Sequence, residues 1–117
     1  MLVSERMFEL RKQIDVVKEE IKLHQIKRNL YQRKLDELKE KKNDVDDDLK
    51  NIMLKFEALS LPFGKSGMTI KKGLLYMKKD LNIRIKNIYL KKKEIDKTIA
   101  LKKIELANKK EEYKKLY

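Results

Sequence analysis

Three places in this chain hold residue types that could do chemistry. His24 is the only histidine, and there is no cysteine. A thiolate nucleophile, a Cys-His pair and a thiolate-bound metal are therefore excluded. His24 has no carboxylate pair at ligand spacing beside it, so it reads as a helix-seam residue and not a metal ligand. A Ser-His-Asp arrangement would have to bring Ser4, Ser60 or Ser66 to His24 inside a pocket. Gly64-Lys65-Ser66 looks like the tail of a phosphate-binding loop. That loop also needs a glycine at 59, where Leu59 stands, and a preceding strand. The run Asp44 to Asp48 hints at a calcium loop, but Leu49 replaces the turn glycine and Lys55 the bidentate glutamate. The expectation is a protein with no catalytic residue, no metal, no cofactor and no small-molecule substrate: not an enzyme.

The elements that would carry any function are helical. Of 117 residues, 31 are Lys or Arg and 19 Asp or Glu, with only three glycines and one proline. So few turn-formers cannot punctuate a sandwich, a barrel or a series of βαβ units. Alternating steps of three and four from Val3 pass through Met7, Leu10, Ile14, Val17 and Ile21 and end at Leu59. Only His24, Arg28 and Lys42 interrupt this apolar seam. A repeat of 3.5 residues sustained this far predicts a coiled-coil helix over about residues 3–59, roughly 85 Å long.

Ser60 to Gly67 holds the only proline and two of the glycines, which predicts a turn over about 60–68. A second helix is expected over about 69–116. Its seam runs Ile70, Leu74, Met77, Leu81, Ile85, Ile88 and onward to Leu116, with a stutter where Met77, Leu81 and Ile85 are each four apart. The reading is all-α: one domain, residues 1–117, folded as an extended antiparallel two-helix coiled-coil hairpin. A turn near 64 pairs position x with about 128 − x, which sets Asp44, Asp46, Asp47 and Asp48 near Lys78, Lys79, Arg84 and Lys86. Charged residues interrupt every hydrophobic run, so no stable membrane insertion is expected. The first six residues lack the basic-then-apolar pattern of a cleaved signal, and a cytoplasmic location is expected.

Charge is uneven. Residues 1–59 carry 14 basic and 13 acidic side chains, whereas residues 60–117 carry 17 and 6. Such a half attracts acidic partners, protein or nucleic acid, although a solvated coiled-coil face explains part of it. In the second helix Tyr76, Ile83, Leu90 and Ile104 fall at the f position of the heptad, opposite the seam, with Lys97 filling the gap. A recurring line of this kind marks a contact surface more often than scattered exposed apolar residues do. Leu23, Ile26 and Leu30 form a smaller set in the first helix. A local register shift around His24 and Arg28 explains that set equally well.

A basic chain of this size without Cys or Trp, built as two long helices around one short break, resembles the FliJ/YscO family. These are central-stalk proteins of flagellar and virulence type III secretion systems, and the Lys/Ile-rich composition looks most like a virulence-system member. The resemblance covers the whole chain and rests on architecture and composition. It implies an antiparallel coiled coil that enters the pore of a hexameric secretion ATPase, as the γ subunit does in rotary ATPases. The chain ends would promote the ATPase, while the hairpin body would contact the export gate protein or secretion chaperones. The protein would then work in the cytoplasm, at the inner face of the membrane as part of the secretion complex. Carried onto this sequence, the ATPase-facing residues are Arg6, Arg11, Lys12, Lys109, Lys110, Lys114 and Lys115, acting by attraction to acidic groups lining the ring.

Two other readings compete. A basic coiled-coil module could bind nucleic acid. Arg84 is the only arginine of the second half, however, and arginine supplies bidentate base contacts. No aromatic platform for single strands is evident either. A prefoldin-like co-chaperone would also be a helical hairpin, but it needs paired strands between the helices. Residues 60–69 are too few and too rich in Gly and Pro to supply them.

Overall fold

A computed structural model describes residues 2–58 and 64–116. It is all-α, an antiparallel coiled-coil hairpin of α1, Val3–Ala58, and α2, Lys65–Lys115. No strand occurs among the described residues. The amide of Arg6 donates to the Leu2 carbonyl at 3.0 Å, closing the first turn of α1, and Glu5 in that turn suits the positive helix end. Lys114 and Lys115 in the last turn of α2 suit the negative end.

The first seam is present almost as read. From Met7 to Phe56 every seam position is buried or half-buried. His24 and Arg28 stay on the seam, so there is no register shift between them. Val3 is an exception, for it is exposed at the start of the helix. Leu59 and the turn residues 60–63 lie outside the described residues.

Three expectations for α2 are corrected. The helix begins at Lys65 and not near 69, so residues 65–68 are helix and not turn. The amide of Met68 donates to the Gly64 carbonyl at 2.9 Å, which places Gly64 at the N-cap. Glycine is tolerated there, and Gly67 inside the helix is allowed a turn without requiring one. The stutter is also absent. Ile70 and Met77 are each 51% exposed, while Gly67, Lys71, Leu74 and Lys78 lie on the inner side. The heptad therefore runs unbroken from Gly67 through Leu81 to Leu116. Choosing the most apolar residue at each step misled the reading, because a lysine stem covers a seam while its ammonium reaches the edge.

The pairing register moves as well. Asp46 pairs with Lys78 and Arg28 with Asp96, each pair of numbers adding to 124, while Glu20 with Lys102 and Gln13 with Lys109 add to 122 and Arg6 with Glu112 to 118, all below the 128 expected. For the pairs that add to 124, a shift of about one helical turn agrees with the four-residue earlier start of α2. Lys78 is the partner of Asp46 among the lysines expected opposite the acidic run, and Arg84 pairs along its own helix with Asp80 at 3.0 Å.

The chain divides into two compact units, one of Met1–Tyr31 with Lys91–Tyr117, the other of Gln32–Leu90. Each is a piece of α1 packed on a piece of α2, as expected of a seam whose residues touch only near neighbours. In the terminal unit Val17, Ile21, Ile95 and Ile99 form the core, with Tyr31 and Leu106 against it. In the central unit Leu38, Val45 and Leu81 do so, joined by Leu49, Leu74, Ile85 and Ile88. Leu10 is fully buried, and no polar or charged side chain is buried among the described residues.

Gly73 lies in the helical interior of α2, and a Cβ added there meets nothing within 4 Å. Gly73→Ala is expected to stabilise the fold by about 1 kcal/mol, since alanine is the better helix former. A thermal melt followed by circular dichroism checks this. An unchanged or lowered midpoint would mean that α2 is not helical at 73.

Candidate functional site

Four polar residues on the seam reach sideways to a group flanking the seam of the opposite helix. Lys78 meets Asp46 at 2.7 Å, and Lys109 donates to the Gln13 side-chain oxygen at 2.9 Å. Arg28 pairs with Asp96, and Lys102 with Glu20. These pairs are at most half-buried and open to solvent, so each adds little stability. Their main effect is on register, because a slip of one turn strands all of them at once.

Lys102 titrates above the ordinary lysine value because Glu20 accepts a hydrogen bond from its ammonium, and burial opposes this only in part. A raised folded-state value means that the stabilisation is fully present below the unfolded value, ~10.4, and is lost as pH rises through the folded one. Glu20→Gln is therefore expected to melt below the native chain at neutral pH. The difference should disappear once the pH passes the lysine range. A difference that persists unchanged at high pH would show that Glu20 acts through packing instead.

The seven terminal cations all lie in the terminal unit, on the first turns of α1 and the last turns of α2. They do not share one environment. Arg6 pairs with Glu112 across the helices and with Glu9 along α1 at 3.4 Å. Its guanidinium is held protonated above its usual range, chiefly by the hydrogen bond to Glu112. Lys109 sits on the seam with Gln13. Both serve the hairpin itself. Arg11, Lys12, Lys110, Lys114 and Lys115 are exposed, and no acid pairs with them among the described residues. Arg11 and Lys110 line one groove between the helices, and Lys12 and Lys109 line another. The terminal end thus presents cations on more than one side.

The outer α2 residues stand as the heptad placed them. Tyr76 is 75% exposed, Ile83 52%, Leu90 49% and Ile104 58%. Tyr76, Ile83 and Leu90 belong to the central unit, Ile104 to the terminal one. Leu23, Ile26 and Leu30 are exposed on α1, which the intact seam leaves as a true outer stripe. Val16, seven residues before Leu23, joins it. Sequence reasoning passed over Val16, although the spacing was a sufficient signal.

Residues 44–49 are continuous helix, and no group of three potential metal ligands comes together among the described residues. His24 is half-buried on the seam. No described helix is long and apolar enough to cross a membrane. Fold and surface together define an antiparallel coiled-coil hairpin with a basic second helix. Compared with protein-family models, curated proteins and solved structures, the chain matches none.

Proposed function

We propose that this protein is the non-enzymatic central stalk of a type III secretion ATPase complex. Its terminal end inserts into the hexameric ATPase ring and promotes hydrolysis. Its body links the ring to the export gate protein and secretion chaperones through the outer face of α2. The work is done in the cytoplasm, at the inner face of the membrane.

The observation that carries this reading is the terminal end. There a closed seam holds two helices together while Arg11, Lys12, Lys110, Lys114 and Lys115 stay exposed and unpaired among the described residues. A slender end with unpaired cations on more than one side suits a pore lined by acids, where charge attraction speeds and steers entry. The test is to add the purified chain to the hexameric export ATPase of the same organism. Hydrolysis is expected to rise. An unchanged rate with a folded chain would remove the stalk reading. Retention of nucleic acid with a steep loss of affinity in salt would replace it with the nucleic-acid one.

A further inference from the structure

The central unit carries a second heptad pattern that its own core does not use. On α2, Lys72, Tyr76, Lys79, Ile83, Lys86 and Leu90 follow one another in steps of four, three, four, three and four, all exposed. This line lies on the side of α2 away from α1. Its apolar members recur every seven residues, and so do its lysines. Leu75 and Tyr89 widen the apolar strip and are exposed too. Among the described residues no acid pairs with Lys72, Lys79 or Lys86. The one acid on this part of α2, Asp80, is engaged by Arg84.

We infer that this face is the docking seam for an acidic amphipathic helix of a partner protein. The inference rests on reading outer α2 as a partner surface. It adds the chemistry and the conformation of what binds there. Alternating steps of three and four are the spacing that a second helix meets along its length, knob by hole. An extended peptide repeats every two residues and would lose register with it. From Lys72 to Leu90 the line is about 27 Å long, enough for roughly five turns of partner helix. The unpaired lysines along one margin select glutamate or aspartate at heptad spacing in that helix. Tyr76, the most exposed of the apolar members, is the type of residue that anchors such contacts.

A second copy of this chain is a weaker occupant. Its α1 does present Glu37, Glu40, Asp44 and Asp47 at similar spacing, but each copy carries a net charge of +12, which opposes association. An anionic membrane would need no heptad spacing and would favour a broader apolar face.

The probe is a labelled synthetic peptide of about three heptads with Leu at a and d and Glu at the flanking positions. It is titrated against the full chain at low and high salt. A lysine-flanked version and phosphatidylserine vesicles run in parallel, and sedimentation reports the oligomeric state. The acidic peptide is expected to bind, gain helicity and weaken with salt; the lysine version is not expected to bind. K72E/K79E/K86E and, separately, Ile83→Asp with Leu90→Asp are each expected to weaken binding by about tenfold or more while the chain's own helicity is kept. Several results would overturn the inference: equal binding by these variants, binding of vesicles but not of the peptide, or salt-sensitive dimers that the variants abolish. Stimulation of the ATPase through the terminal lysines is a separate readout. It is expected to survive both variants, so failure of the docking seam and failure of the stalk reading are distinguishable.

Discussion

Leu81→Asp is expected to unfold the central unit, whereas Asp at both Ile83 and Leu90 is expected to leave it helical. The contrast is sharp because the residues are close neighbours on one helix. Leu81 is buried against Leu38 and Val45, while Ile83 and Leu90 are about half exposed on the outer side. A carboxylate at 81 is placed among buried apolar side chains, so it must give up its hydration to stay charged or bind a proton at a cost. Even Leu38→Ala or Leu81→Ala removes about 2–5 kcal/mol of packing, a large part of what a small fold holds in total. A hairpin with one apolar stripe per helix has little to spare. Circular dichroism with urea titration reads the outcome. Retained helicity in Leu81→Asp, or collapse in the double outer variant, would invert the assignment of inner and outer faces.

Reversal of the free terminal cations is the second large effect. Lys110, Lys114 and Lys115 changed to Glu, alone or with Arg11 and Lys12, are expected to abolish stimulation of the export ATPase while the chain stays helical, its melting lowered only by the lost favourable charge of Lys114 and Lys115 at the end of α2. Arg6 and Lys109 are left intact because they hold Glu112 and Gln13. Their replacement would mix a folding effect with a binding one. The loss should be steep, since attraction to an acidic pore scales with every charge brought into it and reversal turns attraction into repulsion. Undiminished stimulation by the folded variant would take the terminal end out of the mechanism.

The hairpin was legible because its signal is redundant. A seam over many heptads survives three polar interruptions in α1, and Pro62 with Gly64 marks the place where its sequence pattern stops. Register and helix start were less legible, for a physical reason. Lys71 and Lys78 occupy seam positions that an apolar search assigns to Ile70 and Met77, and the error inserts a stutter that the helix does not have. Lysine belongs to a seam when its stem covers apolar neighbours and an acid waits at the edge, as Asp46 does for Lys78. That acid is one helix away, so its relevance is visible only once the register is known. The outer stripe was readable from spacing alone, since Tyr76, Ile83 and Leu90 inherit their exposure from the seam opposite. The distinction among the terminal cations was not. Arg6 and Arg11 look alike in sequence and differ only because Glu112 comes within reach of one of them.

The central claim is that the terminal end lies within an ATPase ring. Photo-reactive side chains placed in living cells at Arg11 and Lys114, and for comparison at Gly73 in the central unit, test it most directly. The expected result is covalent capture of a hexameric export ATPase from positions 11 and 114 and not from 73. Capture of nucleic acid or of a chaperone assembly at the terminal positions, with no ATPase at any of the three, would contradict the claim and leave a basic helical hairpin with a different partner.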